Sequence, residues 1–164
     1  MTTTDHDSRP DPAIILAECV RTSKLMHLAT SDGDQPWLAH VWYASNSVLE
    51  LFFLSNRGRR HSGELERNAR VAGGMVALPE LVGLGQTVRG VTFAGVAGEL
   101  DDEELVEGYH VYADRWPQVE TLVPLSDMRT GVSPMRIYRV VVQEYVLFDE
   151  LRFPGSPRQR LTDW

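Results

Sequence analysis

Residues 51–76 read LFFLSNRGRRHSGELERNARVAGGMV. This stretch predicts a strand, a tight turn, a short helix and a second strand. The apolar run Leu51–Leu54 stops at Ser55-Asn56, and Gly58 punctuates the turn. A helix is expected from about Arg59 to Asn68, with His61 and Leu65 one turn apart on one face. Val71 to Val76 is small and apolar again, as in a buried strand. Arg57, Arg59, Arg60 and His61 crowd the helix start, where unpaired N–H groups already carry partial positive charge. Cations at exposed positions there are unfavourable by about 0.3–1 kcal/mol each. Glu64 and Glu66 offset part of this, but lie further along. The cluster makes physical sense if an anion accepts bonds from guanidinium, hydroxyl and backbone N–H together. A solvated basic turn is the plainer alternative; the Ser-Asn approach and the glycine favour a phosphate.

Two nucleotide motifs fail on inspection. Gly58 and Gly63 are spaced as in a phosphate-binding GxxxxG loop, but Glu64 stands where that motif needs lysine. Gly83-Leu84-Gly85 opens like a dinucleotide fingerprint, but Val88 occupies the third glycine position.

The whole chain bounds the partners. Its 164 residues fit one domain. A net charge of −7 argues against general nucleic-acid binding, which demands a basic surface. A local basic pocket on an acidic protein suits one small anionic ligand instead. Cys19 is the only cysteine, so no intrachain disulfide and no cysteine metal site can form, and a reducing cytoplasmic setting is expected. The first residues, MTTTDHDSRPDP, lack the basic-then-apolar layout of a signal peptide. No apolar run approaches the ~20 residues of a membrane span.

Around the opening stretch the chain is strand-rich. Residues 1–10 read as a disordered tail. Asp11-Pro12 looks like an N-cap with proline at the first helical position, opening a helix to about Thr22. Lys24–Thr30 and Pro36–Ser45 alternate as strands around Ser31-Asp32-Gly33-Asp34, a hairpin signal. A third strand is expected over Val48–Leu54. Leu78–Gln86 reads as a loop and Thr87–Leu100 as a long strand whose glycines imply bending or close backbone approach. Asp101–Glu104 begins a helix with Leu105, Tyr109, Tyr112 and Trp116 on one stripe, expected in the core. Gln118–Ser133 gives no clear pattern. Pro134–Glu150 gives a last strand or strand pair, closing a domain over residues 11–150. Residues 151–164 read as an irregular basic tail. Short turns between strands imply antiparallel pairing, and the natural closure is a mainly β (α+β) six- or seven-stranded barrel with peripheral helices.

The five histidines, His6, His27, His40, His61 and His110, show no metal-ligand spacing, so no metal site is expected. His27 reads as a hydrogen-bonded core residue, and Trp37 and Trp42 as core or dimer-interface aromatics. No GxSxG elbow accompanies the scattered serines and histidines.

Three segments together resemble the pyridoxamine 5'-phosphate oxidase-like FMN-binding split barrels. They are FFLSNRGRRHSGELERNARVAG, GQTVRGVTFAGVAGEL and the paired strands from Lys24 to Leu54. The resemblance implies an antiparallel split β-barrel, a homodimer with FMN at its interface, and oxidoreductase activity on a small organic substrate. A deazaflavin cofactor, F420, or a non-enzymatic flavin or haem carrier are the alternatives. By position, Ser55 matches the Thr of the family's T-N pair, and Arg60 and His61 match its phosphate-gripping Arg-Lys pair. Gln86 matches a glutamine that approaches the flavin, and His40, Val41, Trp42 and Tyr43 lie on the strand whose backbone flanks the ring. His61 in place of lysine implies pH-dependent phosphate affinity. The B6 oxidases' second-strand cations and C-terminal substrate signature have no counterpart in this sequence, which argues against vitamin B6 oxidation. Arg158, Arg160 and Trp164 either cover a site, their own or a partner's, or form a plain surface tail. No catalytic side chain is assigned, because a flavin itself carries the hard chemistry.

Overall fold

The computed structural model describes residues 10–76 and 88–164. The expected loop at Leu78–Gln86, including Gln86, lies outside the described residues, as does nearly all of the expected N-terminal tail.

The elements run α1 (Pro12–Thr22), β1 (Leu25–Asp32), β2 (Gln35–Ser45), β3 (Leu51–Asn56), α2 (Arg60–Arg67), β4 (Arg70–Val76), β5 (Arg89–Glu99), α3 (Leu105–Arg115), α4 (Val119–Leu122), α5 (Leu125–Arg129), β6 (Met135–Asp149) and β7 (Arg158–Leu161). Asp11 caps α1, its side chain accepting from the Ala13 N–H at 2.9 Å. Gly33 sits at φ 61° in the two-residue connection of the β1–β2 hairpin, a conformation that favours glycine.

The strands close on themselves. Their order is β3-β2-β1-β4-β5-β6-β7, every pair is antiparallel, and β3 also pairs with β6, so six strands form a ring. One long β6 makes this possible. Its first half pairs with β3, and β7 takes the same edge beyond. A register shift at Ala94/Gly95 bends β5 against β6, where a Cβ on Gly95 would lie 2.3 Å from the Val141 carbonyl oxygen. The expected bending of the glycine-bearing strand is therefore present.

β3 explains the unbroken apolar run that opens the sequence. Leu51 and Phe53 point into the barrel, where Phe53 stacks on Tyr138 at 5.1 Å. Phe52 and Leu54 point outwards, into a second apolar layer with Ile137, Leu105 and Tyr109 under α3. A strand buried on both faces has no polar side to show. The stripe Leu105, Tyr109, Tyr112 and Trp116 packs in this layer, as expected.

Several expectations are corrected. The third strand starts at Leu51, not Val48, because Leu49 takes a left-handed φ of 60°. That turn is held by the Asn46 side chain, bonded to the Glu50 N–H and carboxylate, and by burial of the Leu49 side chain. Gln118–Ser133 contains the two short helices α4 and α5. The tail is not irregular throughout: β7 pairs with β6, Arg160 bonds Glu144, and the Trp164 indole packs edge-on to Tyr145. His27 is exposed rather than core, because Leu25, His27 and Ala29 face away from the barrel interior; its ring meets that of His40 across the strands at 4.7 Å. Trp37 and Trp42 are 42% and 51% exposed, so neither belongs to this chain's core.

Candidate functional site

The barrel is split at one seam. β2 and β3 pair only where Tyr43, Ala44 and Ser45 meet Phe53, Phe52 and Leu51. Beyond Tyr43 the two strands part, and the gap is a cleft of about 670 Å³. One wall is β2 from Trp37 to Trp42, and the other is the end of β3 with the start of α2. A strand that leaves its neighbour exposes unpaired backbone edge, so the cleft is bordered by main chain as well as side chains.

The cationic end lies at α2. Arg59 is the N-cap residue, and a guanidinium cannot accept from the N–H groups it precedes. The first intrahelical bond begins at the Gly63 N–H, and among the described residues no side chain caps those of Arg60, His61 and Ser62. These orphan donors suit an anion. The four expected cations are not equivalent. Arg57 leaves the cluster for β5, where its Nε donates to Glu99 at 2.8 Å in a bidentate pair. Arg60 stays at the cleft, its Nε donating to Glu64 at 2.7 Å and its guanidinium lying 4.3 Å from the centre of the Trp37 ring. Glu64 is only 1% exposed and also accepts from the Thr30 hydroxyl at 2.5 Å. Burial alone would raise its pKa, but the Thr30 and Arg60 bonds outweigh that and hold it below the usual carboxylate range. Arg60 is thus fixed by a buried anion at Nε, with its terminal nitrogens unbonded among the described residues. Arg59 makes no ion pair among the described residues.

His61 is buried, with Nε2 2.8 Å from the Ser55 hydroxyl. Ser55 lies 3.1 Å from the Ser62 hydroxyl, which donates to the Asn56 carbonyl at 2.9 Å. Ser55 thus sits between His61 and Ser62 in one hydrogen-bonded chain, whose direction follows the imidazole tautomer. Burial, then the nearby Arg59 charge, push the His61 pKa below its ordinary value, with Glu64 opposing. His61 is neutral at pH 7 and orients a hydroxyl, leaving positive charge at the cleft to Arg59 and Arg60.

Of the residues expected to contact a cofactor, His40, Val41, Trp42, Ser55, Arg60 and His61 line this one cleft. The Tyr43 side chain does not. It sits in the barrel core, its hydroxyl donating to the Val20 carbonyl at 2.5 Å, because the strand alternation that turns Trp42 out turns Tyr43 in. Trp37, read from the sequence as a core or dimer-interface aromatic with flavin stacking as the other option, also lines the cleft, as do Tyr112 and Met135, which sequence reasoning did not connect with a site. Met135 carried no signal in the sequence that could have found it. Among the described residues no group of three or more His, Cys, Asp or Glu is placed to hold a metal.

The sequence pattern of the pyridoxamine 5'-phosphate oxidase family matches residues 15–145, most of the chain. The chain belongs to the pyridoxamine 5'-phosphate oxidase family. No curated protein matches it in sequence. Solved structures of the same fold include a haem-binding protein from Mycobacterium smegmatis (TM-score 0.74, 19% identity), covering 94% of this chain and 59% of that one. This chain thus spans about three fifths of that protein's length. A conserved hypothetical protein from Mycobacterium tuberculosis matches at TM-score 0.64 and 24% identity, covering 93% of each chain. An FAD-binding protein from Mesorhizobium loti matches at TM-score 0.63 and 18% identity, covering 82% of this chain and 92% of that one. At these identities the likeness is one of fold: this family member has the antiparallel split barrel with peripheral helices expected of it. Among the described residues no helix is long and apolar enough to cross a membrane.

Proposed function

We propose that this pyridoxamine 5'-phosphate oxidase-family protein binds FMN in the β2–β3 cleft and works as a flavin-dependent oxidoreductase on a small organic substrate. The observation that carries this is the uncapped start of α2, where orphan N–H groups, Arg59 and the Glu64-anchored Arg60 converge on the cleft. These residues fit a phosphate monoester: two guanidinium groups for its charge, and backbone donors for its oxygens. Bound flavin would supply hydride transfer. The chain's own part is to hold the phosphate at α2 and to border the ring with the β2 backbone from His40 to Tyr43.

The active unit in this reading is a cytoplasmic homodimer, in keeping with the lone, free Cys19. Leu25, Leu38 and Trp42 stand exposed on the outward face of β1 and β2, an apolar surface suited to a second copy. An absorbance scan of the purified protein, followed by FMN titration of cofactor-free protein, tests the assignment. A flavin spectrum and saturable uptake are expected; absence of both overturns it. F420 also carries a phosphate, and a parallel titration separates the two cofactors.

A haem-binding reading has an observation of its own. A groove of about 620 Å³ on the outer face of β4 and β5 is floored by Gly73, Gly74 and Gly90, with His27 on its border and Arg158 along its lining. An exposed imidazole and a guanidinium beside an apolar slot suit an iron ligand and a carboxylate partner. A Soret band on haem addition, lost in His27→Ala, would favour this reading over the flavin one.

A further inference from the structure

The cleft continues past its cationic end. Trp42, Leu54, Tyr112 and Met135 also line a second groove of about 550 Å³, between β3 and the α3–α4 region. No side chain lining this groove is charged. Trp42 and Trp116 meet edge-to-face in its wall at 4.9 Å, and the Trp116 Nε1–H donates to the Tyr43 carbonyl at 2.8 Å, which fixes the indole. The volume falls in the range of small-molecule pockets.

One polar group in the groove has no bonded partner among the described residues. Tyr112 is 6% exposed, and its hydroxyl makes no hydrogen bond among the described residues. Ser23 Oγ is the one fully buried side-chain polar atom without a bond among the described residues, so the Tyr112 hydroxyl keeps contact with solvent and is free to donate to a ligand. Burial pushes the phenol up to about 12, with Arg115 opposing, so the proton stays on oxygen at neutral pH. An anion in the groove would lose its hydration with no cation among the lining residues to bond it, whereas a neutral ring would lose little.

We propose that this groove is the substrate pocket, and that it takes an uncharged, flat aromatic molecule whose carbonyl-type oxygen accepts from the Tyr112 hydroxyl. Its role as a substrate pocket rests on the flavin reading; its ligand chemistry does not. The cationic end then holds the cofactor's phosphate, and the apolar end holds the substrate beside the flavin ring.

Equilibrium dialysis with three probes of similar shape tests this: neutral 2-acetonaphthone, anionic 2-naphthoate, and naphthalene, which has no acceptor. FMN-loaded and FMN-free protein are both used. The ketone is expected to bind one per chain, at least about tenfold tighter than the carboxylate, since desolvating an unpaired charge is the larger cost. Tyr112→Phe should weaken ketone binding about fivefold, the scale of one neutral hydrogen bond, and leave naphthalene binding unchanged. Leu122→Lys, at a lining position 78% exposed, should narrow the ketone–carboxylate gap. Equal affinity for ketone and carboxylate, no effect of Tyr112→Phe on the ketone, or displacement of the ketone by FMN would each overturn the proposal. Ketone binding without FMN uptake would sink the flavin reading and leave the pocket standing; FMN uptake without ketone binding would do the reverse.

Discussion

The two ends of the cleft are built from adjacent residues and have opposite character. At one end Ser55, Arg59, Arg60 and His61 gather charge and hydrogen-bond donors. At the other, Trp116, Val119 and Val123 exclude charge altogether. Their supports differ in the same way. The cationic end rests on the closed barrel through Phe53 and Leu65; the apolar end rests on the helix-covered layer through Phe52 and Ile137. Two consecutive phenylalanines on β3, facing opposite ways, therefore support a cationic end and an apolar one. A strand buried on both faces can hold two unlike sites rigidly against each other, and parting from β2 opens the space between them.

The largest effect should come from undermining the shared strand. Phe53→Ala removes a fully buried ring stacked on Tyr138 and should cost about 3–5 kcal/mol of stability in urea unfolding. A loss under 1 kcal/mol would mean that β3 is not the rigid divider described. Next in size, Arg60→Ala should weaken FMN binding by about 1.5–3 kcal/mol through loss of a charge-assisted bond. Affinity for a neutral aromatic at the apolar end should stay the same. An equal loss at both ends would erase the distinction between them.

A smaller effect follows from the cationic end alone. The folded pKa of His61 is lowered, so the unfolded chain binds its proton more readily. The stability this group contributes is fully present above its ordinary pKa and is lost as pH falls through that value towards the lower folded one. The fall in stability from about pH 7 to pH 5 should be steeper in the native chain than in His61→Gln, measured by thermal unfolding across pH. Parallel profiles would show that His61 is not held neutral. The smallest effect contrasts two tyrosines on α3. Tyr109 donates to the Val123 carbonyl at 3.0 Å, so Tyr109→Phe should cost about 0.5–1.5 kcal/mol. Tyr112→Phe removes a hydroxyl with no bond among the described residues and should leave stability within about 0.5 kcal/mol of wild type. A larger loss would show that the Tyr112 hydroxyl already serves the fold.

Local chemistry made much of this legible in the sequence. The Asp11 cap, the Asp32-Gly33 turn and the glycine-bent β5 are rules acting within a few residues, and each appears where it was expected. The basic start of α2 was equally plain, because misplaced cations need a reason. What stayed hidden depends on distant partners. Nothing near Arg57 announces Glu99, 42 residues away, so four cations looked alike when one was already neutralised. The apolar stripe of α3 was visible, but not that Tyr112 lines a groove with its hydroxyl unbonded among the described residues while Tyr109 spends its own on the fold. Pairing of the tail as β7 was invisible because RQRL lacks the apolar alternation of a half-buried strand. His27 misled for the opposite reason: an apolar strand surrounds it, yet its own face is the outer one.

The central claim is that a phosphate completes the α2 end of the cleft. Titrating cofactor-free protein with FMN and with riboflavin, which share a ring and differ by that phosphate, isolates it. FMN should bind at least about tenfold more tightly than riboflavin, and the gap should shrink in Arg60→Ala. Equal affinity for the two would contradict the account.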